Sequence, residues 1–160
     1  MADKVQILAV DDSSISLATI ERELKNEKYE VIPVNSGLRA LQYLKRKKAD
    51  LIILDIQMAS MDGIETLKEI RGMEDCRDIP VIMLTSKRDR KTVMESSKLG
   101  ICDYVLKPFS KQDLQNRVER VLKKVRENTS FIEQLRQGSI SLDSLESLGS
   151  LESLEKKNGF

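Results

Sequence analysis

Short apolar segments alternate along the chain with longer segments in which apolar residues recur at helical spacing. The segment Leu51–Asp55 is apolar up to its last residue, which is typical of a strand that is covered on both faces. The other short segments have the same apolar, β-favouring character. The pattern therefore predicts five strands, at Val5–Val10, Tyr29–Val34, Leu51–Asp55, Pro80–Thr85 and Asp103–Leu106.

Apolar residues three or four positions apart predict a helix after each strand. The fourth helix is predicted at Lys91–Leu99, and Gly100 ends it. The residues that can cap the first, second and last helices at their amino ends are Asp12-Ser13-Ser14, Ser36 and Ser110. The predicted apolar faces of the first three helices are Leu17, Ile20 and Leu24; Leu38, Leu41 and Leu44; and Ile64, Leu67 and Ile70.

The alternation of five strands with five helices predicts the fold class. Each right-handed crossover between parallel strands needs a helix to return the chain, so the fold is α/β with helices on both faces of a parallel sheet. Five such units in this length suit a doubly wound, five-stranded sheet with the flavodoxin-like order 2-1-3-4-5.

The last predicted helix continues past the end of this pattern. Its apolar residues have the spacing of a heptad seam with a central Asn, as in a coiled coil. The simpler interpretation, which we prefer, is that its first half packs on the sheet and the rest is a frayed extension. The seam residues are Leu114, Val118, Val121, Val125, Asn128, Ile132 and Leu135. We predict a folded domain at 1–126, a helical extension or coiled coil at 127–138 and a Ser- and Leu-rich low-complexity tail at 139–160.

Composition excludes several function classes. The 27 Lys and Arg residues balance 26 Asp and Glu residues, and this net charge of +1 gives no support for nucleic-acid binding. The chain has no His, which excludes Ser-His-Asp catalysis, His-ligated metals and phosphohistidine. We expect Cys76 and Cys102 to be free thiols. The longest aliphatic segment, Leu51–Leu54, is too short to insert in a membrane, and no export signal is visible, so we expect a cytoplasmic protein.

Charged and hydroxyl side chains follow several of the predicted strands. In a doubly wound sheet, ligands bind beyond the carboxyl ends of the strands, where the strand order switches. The residues expected there are Asp11, Asp12, Asp55, Thr85 and Lys107. Each has an ordinary structural explanation, such as a helix cap for Asp12 or a solvated charge for Lys107, but those explanations leave their coincidence at one edge unexplained.

Three neighbouring carboxylates repel one another unless they share a cation. An all-oxygen acidic site with few protein ligands suits Mg²⁺, which commonly takes further oxygens from phosphate. Lys107 and Thr85 are then candidate partners for phosphoryl oxygens, and an Asp carboxylate can act as the nucleophile that forms an aspartyl phosphate.

Together these residues make the chain resemble a receiver domain of the bacterial response regulators of two-component systems, of the chemotaxis-regulator type. The resemblance covers residues 4–126 and rests on motifs in the same order as in the family. They are Asp11-Asp12, Asp55, Met58, Met61-Asp62-Gly63, Thr85-Ser86, Gly100, Asp103-Tyr104 and Lys107-Pro108-Phe109.

The resemblance implies a role for each site residue. Asp55 is the phosphoacceptor, and Lys107 pairs with the phosphoryl oxygens. Thr85 hydrogen-bonds one of those oxygens after phosphorylation, and Tyr104 turns inward as Thr85 moves. The implied ligands of Mg²⁺ or Mn²⁺ are Asp11, Asp12, Asp55 and the backbone carbonyl of Gln57. Gln57 and Lys87 occupy positions that tune the phosphoryl lifetime.

The chain departs from the family pattern at three positions. Ala59 stands where the family usually has Pro, which predicts a less rigid loop after Asp55. Ile101 and Cys102 replace a usual Ala and Asp. None of these changes removes a group that the implied chemistry needs.

The expected function is that of a phosphorylation-activated response regulator receiver. Asp55 would take a phosphoryl group from a histidine kinase or a histidine phosphotransfer protein, and the domain would signal by protein contact with a downstream partner or as a homodimer through the last helix. Because few residues follow Arg126, we expect a stand-alone receiver that is not an enzyme beyond its own phosphorylation and hydrolysis. Two alternatives are a phosphorylation-independent pseudo-receiver adaptor and an Mg²⁺-dependent phosphohydrolase with an Asp nucleophile.

Overall fold

A computed structural model describes residues 3–86 and 90–138 of the chain. Its five strands are β1 (Val5–Val10), β2 (Tyr29–Val34), β3 (Leu51–Asp55), β4 (Val81–Thr85) and β5 (Asp103–Leu106). Its α-helices are α1 (Ser14–Leu24), α2 (Gly37–Arg46), α3 (Gly63–Gly72), α4 (Arg90–Lys98) and α5 (Lys111–Arg136), and a 3-10 turn covers Glu74–Cys76.

The five strands form one parallel sheet in the order β2-β1-β3-β4-β5. Strand β3 lies at its centre with every residue buried, as its apolar sequence predicts. The predicted fold class and strand order are therefore confirmed, and the predicted strand bounds differ only at β4, which begins at Val81 instead of Pro80.

Hydroxyl side chains cap three of the helices at the predicted places. The Ser13 Oγ accepts the N–H of Ser16 at the start of α1, and the Ser36 Oγ accepts the N–H of Arg39 at the start of α2. The Ser110 Oγ accepts the N–H of Asp113 in the same way at the start of α5. These caps satisfy amide groups that have no partner inside their own helix, which fixes where each helix begins.

The predicted apolar face of α2 is wrong at one position. Leu41 and Leu44 are buried, but Leu38 is 57% exposed. The helix lies so close to α3 that a Cβ on Gly37 would stand 2.1 Å from the Oγ1 of Thr66. This approach buries the Gly37 face, and Leu38 points away from it because successive residues turn by about 100° around the helix axis.

Arg71 joins segments at the amino ends of β4 and β5. Its guanidinium donates to the carbonyl oxygens of Leu99 at 2.8 Å, Gly100 at 3.0 Å, Arg77 at 3.0 Å and Ile79 at 2.8 Å. Burial of this group lowers the pKa of Arg71. This network could not be predicted from the sequence, because its acceptors are main-chain carbonyls, which every residue has.

Residues up to Val118 form one compact unit, and the rest of the described chain is the remainder of α5 with the turn that follows it. Along α5, Leu114 and Val118 are buried, while Val125 and Ile132 are exposed. Gly138 takes a left-handed φ of 73° after the helix ends. The predicted low-complexity tail at 139–160 lies outside the described residues. None of the described helices is long and apolar enough to span a membrane.

Candidate functional site

Three carboxylates meet at the carboxyl ends of the adjacent strands β1 and β3. Asp11 and Asp12 follow β1 directly, and Asp55 is the last residue of the neighbouring strand β3. One oxygen atom from each of the three carboxylates lies within 4.8 Å of the other two. The Asp11 and Asp55 side chains are buried, whereas Asp12 is exposed.

Lys107 provides the positive charge of this cluster. Its Nζ lies 2.6 Å from the Oδ2 of Asp11 and 3.4 Å from the Oδ1 of Asp55. The same ammonium group donates to the Oγ of Ser16, in the first turn of α1, at 3.3 Å. The backbone N–H of Lys107 donates to the carbonyl of Thr85 at 2.7 Å, which holds the residue beside the end of β4.

The buried position of Asp55 changes its acid–base behaviour. Burial, followed by the negative charge of Asp11, raises the pKa of Asp55 to about 6, although Lys107 and the backbone N–H of Gln57 favour the ionised form. A second cation at the site would favour the ionised form of Asp55 and would therefore lower its pKa again. Among the described residues, the cluster therefore has one positive charge beside three carboxylates and is suited to take up another.

The loop after β3 is held close to the cluster. Gly63 allows this approach, because a Cβ there would stand 2.2 Å from the carbonyl oxygen of Asp55. The N–H of Gly63 donates to the carbonyl of Ile56 at 2.8 Å, which closes the loop. The N–H of Ala59, inside this loop, donates to the Oδ2 of Asp12 at 2.9 Å.

Thr85 and Tyr104 lie on the adjacent strands β4 and β5. Thr85 is buried one position beyond Leu84, which pairs in register with Asp55. Tyr104 pairs with Met83, two positions before Thr85, and its ring packs against the hydrophobic core. The two predicted switch residues are therefore close neighbours in the sheet.

The structure describes one of the two predicted lifetime-tuning residues. The Gln57 side chain is exposed at the mouth of the site, where its Oε1 accepts the hydroxyl of Ser86 at 2.6 Å. This bond joins the loop after β3 to the loop after β4. Lys87 lies outside the described residues, and the lifetime-tuning role stays a prediction for both Gln57 and Lys87.

The donor set fits a hard divalent cation. Three carboxylates at two strand ends provide only oxygen ligands, in the partly open arrangement that Mg²⁺ accepts with retained water. The buried, mutually repelling Asp11 and Asp55 give a physical reason for a cation there, since Lys107 does not balance the three carboxylates among the residues that the structure describes.

The family model of the response regulator receiver domain matches residues 7–119. This chain belongs to the response regulator receiver domain family. The transcriptional regulatory protein ZraR of Escherichia coli K12 is 37% identical to it over 120 residues, which is 75% of this chain and 27% of that protein. The chain spans about a quarter of the length of the curated relatives that it matches.

Solved receiver structures share the fold. The chemotaxis protein CheY4 of Vibrio cholerae matches with a TM-score of 0.71 and 29% identity, over 74% of this chain and 99% of that one. The receiver domain of the sensor histidine kinase PA1611 from Pseudomonas aeruginosa matches with a TM-score of 0.69 and 30% identity, over 76% of this chain and 99% of that one. That structure has a magnesium ion coordinated in its active site cleft.

The structure of this receiver domain shows contacts of three site residues that the sequence did not reveal. Ser16 and Ser86 are common hydroxyl residues, and only the folded chain shows their contacts with Lys107 and Gln57. Ala59 contributes its main-chain amide, so its side chain carried no signal.

Proposed function

We propose that this receiver domain is activated when Asp55 accepts a phosphoryl group. The observation that supports the proposal is the buried Asp55 carboxylate, which lies beside Lys107 and two other carboxylates at the carboxyl end of the sheet. In this role Asp11, Asp12, Asp55 and the backbone carbonyl of Gln57 would hold Mg²⁺ or Mn²⁺. Bound there, the cation would neutralise charge on the phosphoryl oxygens.

Asp55 is the nucleophile of the proposed reaction. One of its carboxylate oxygens forms a bond to phosphorus while the bond from phosphorus to the donor breaks. Because these 160 residues contain no His, a phosphohistidine donor must lie outside them, on a histidine kinase or a phosphotransfer protein; a small acyl phosphate could replace it. The departing imidazole or carboxylate takes the electron pair of the broken bond.

Lys107 and Thr85 act on the transferred group. The Lys107 ammonium lies 2.6 Å from Asp11 and 3.4 Å from Asp55, so it is close enough to Asp55 to pair with a phosphoryl oxygen on that residue. The product adds close to two negative charges at Asp55. Thr85 would donate its hydroxyl to that charge, and Tyr104 would adjust with it, which alters the surface of β4 and β5 for a partner.

The proposal extends to location and partners. Within the described residues, Cys76 and Cys102 form no disulfide, which suits a reducing compartment and supports a cytoplasmic protein. The partners are a histidine kinase or phosphotransfer protein and a downstream protein, with α5 as a candidate homodimer surface. Beyond its own phosphorylation and hydrolysis, the domain has no proposed enzymatic activity, and the Mg²⁺-dependent phosphohydrolase is the less favoured alternative.

Intact-mass spectrometry tests the proposal. The purified chain is incubated with acetyl phosphate and Mg²⁺, with and without a chelator. We expect the mass of one phosphoryl group to be added to the wild type only when the cation is present. Asp55→Asn should remain unmodified, and Asp75→Asn, which changes an exposed acid outside the site, should react like the wild type.

An adaptor that works without phosphorylation predicts a different result. In that case neither acetyl phosphate nor a phosphorylated kinase would modify the wild type, although the fold and the cation site remain intact. Release of inorganic phosphate from added phosphate esters, with Asp55 turning over many times, would instead favour the phosphohydrolase.

A further inference from the structure

Asp12 differs from the other two carboxylates in its surroundings. Asp11 and Asp55 are buried, and Lys107 contacts both of them. Asp12 is exposed, and its Oδ2 accepts the main-chain N–H of Ala59 at 2.9 Å. An exposed carboxylate would otherwise turn freely between rotamers, so this bond sets where the third oxygen ligand points.

The loop that carries Ala59 has structural anchors on both sides of that residue. Met58, immediately before it, is buried in the hydrophobic core. Ser60, immediately after it, takes a left-handed φ of 67°, and the bond from Gly63 to Ile56 closes the loop. The Ala59 amide is therefore held between a buried anchor and a tight turn, and it can hold Asp12 in turn.

We propose that the main-chain amide of Ala59 is a positioning group for the divalent cation. It keeps the Asp12 carboxylate turned toward Asp11 and Asp55, and so it increases the affinity of the site for the cation without touching the cation. This inference rests on the cation site of the proposed function. It adds a backbone determinant on the loop after β3 that Pro, the usual residue of the family at this position, cannot provide because it has no N–H.

The bond with Ala59 is compatible with cation binding by Asp12. An ionised carboxylate has about four lone-pair positions, and one N–H donor uses only one of them. Hydrogen-bond partners that orient metal ligands typically change metal affinity by about 10- to 100-fold when removed. Because Asp12 is exposed and water can replace part of the bond, we expect a smaller effect here, of about 3- to 10-fold.

Coupling must act in both directions. If the Ala59 amide favours cation binding at Asp12, then the cation must favour the Ala59 bond by the same factor. Adding Mg²⁺ should therefore slow hydrogen exchange at the Ala59 amide and shift its resonance. Gln57 and Ser60 belong to the same loop, so the cation would order the mouth of the site through this bond.

The test compares variants that lose or keep the amide donor. Ala59→Pro removes the N–H, whereas Ala59→Gly and Ala59→Ser keep it. The dissociation constant of Mn²⁺ alone is measured by calorimetry on the full chain, together with the thermal midpoint of each variant without metal. We expect Ala59→Pro to bind Mn²⁺ about 3- to 10-fold more weakly, and the other two variants to bind within about twofold of the wild type.

The Asp12→Ala background shows whether the effect passes through Asp12. Removing Asp12 should weaken binding by itself, and Ala59→Pro should then cause no further loss, because the two changes break the same interaction. An equal loss on both backgrounds would overturn the proposal, since it would mean that proline acts by distorting the loop.

Wild-type exchange data provide a readout if Ala59→Pro does not fold. The Ala59 amide should exchange more slowly with Mg²⁺ present in the wild type, and this protection should be absent in Asp12→Ala. An Ala59 amide that ignores both the cation and Asp12 would overturn the inference. If the wild type binds no divalent cation at all, the cation site of the proposed function has failed, which is a distinguishable result.

Discussion

The Asp55 carboxylate, which is the proposed nucleophile, also destabilises the folded protein when it is ionised. Its pKa of about 6 lies above the ordinary 3.8, so the folded protein holds this proton more tightly than the unfolded chain. A carboxyl group with a raised pKa contributes less to the free energy of unfolding as the pH rises from its pKa in the unfolded chain to its pKa in the folded protein. The free energy of unfolding therefore decreases as Asp55 ionises between about pH 4 and pH 6, and this loss remains at higher pH.

Asp55→Asn should consequently stabilise the metal-free protein near neutral pH. Asn keeps the shape and removes the charge, so we expect a gain on the order of 1–3 kcal/mol at pH 7.5 that shrinks toward pH 4.5. Denaturant unfolding at both pH values measures it, with the exposed Asp75→Asn as the control. A variant that is less stable than the wild type at pH 7.5 would contradict the electrostatic account of the site.

At the scale of elements, Arg71 joins the 3-10 turn region to the segment between α4 and β5. Its donors reach carbonyls that precede β4 and β5, at the opposite end of the strands from Asp55. Lys cannot reproduce this planar set of donors, so we expect Arg71→Lys to lower the free energy of unfolding by about 1–3 kcal/mol. The rate of phosphorylation by acetyl phosphate should stay unchanged.

The matched control for Arg71 is Arg77→Lys, which makes the same replacement at an exposed neighbour. Denaturant unfolding of the two variants is compared under one set of conditions. Equal stability of Arg71→Lys and Arg77→Lys would show that the carbonyl network contributes nothing measurable.

Helix α5 carries the homodimer prediction. Val125 and Ile132 are exposed seven residues apart, on the seam that the heptad spacing predicts. If this seam pairs two copies, Ile132→Asp should shift the protein from dimer to monomer in sedimentation equilibrium. Ser130→Asp, which puts the same charge on another face of the helix, should leave the mass unchanged. A monomeric wild type at the highest measurable concentration would refute the coiled coil.

Over the whole molecule, the fold could be predicted because burial imposes a simple periodicity. The five strands and the order 2-1-3-4-5 follow from an alternation that Leu51–Asp55 shows most clearly. The acidic cluster could be predicted because residues that follow neighbouring parallel strands meet at one edge. The exposure of Leu38 could not be predicted, because the close approach of α2 to α3 at Gly37 determines which face of α2 is buried.

The parts of the site that escaped prediction are those made by the backbone or by common hydroxyl residues. The Ala59 amide that contacts Asp12 has no side-chain signature. The hydroxyl of Ser86 reaches Gln57 only because the loops after β3 and β4 are adjacent in the folded chain. Sequence reasoning finds the charges of such a site more readily than the groups that orient them.

Chemical trapping of the phosphorylated residue tests the central claim most directly. Borohydride reduces an aspartyl phosphate to homoserine, so treatment after acetyl phosphate and Mg²⁺ marks the acceptor permanently. Fragment mass spectrometry of the digested protein then reads the marked position. We predict homoserine at Asp55 and unchanged Asp11 and Asp12. Homoserine at either of those residues, or none after full reaction, would contradict the account.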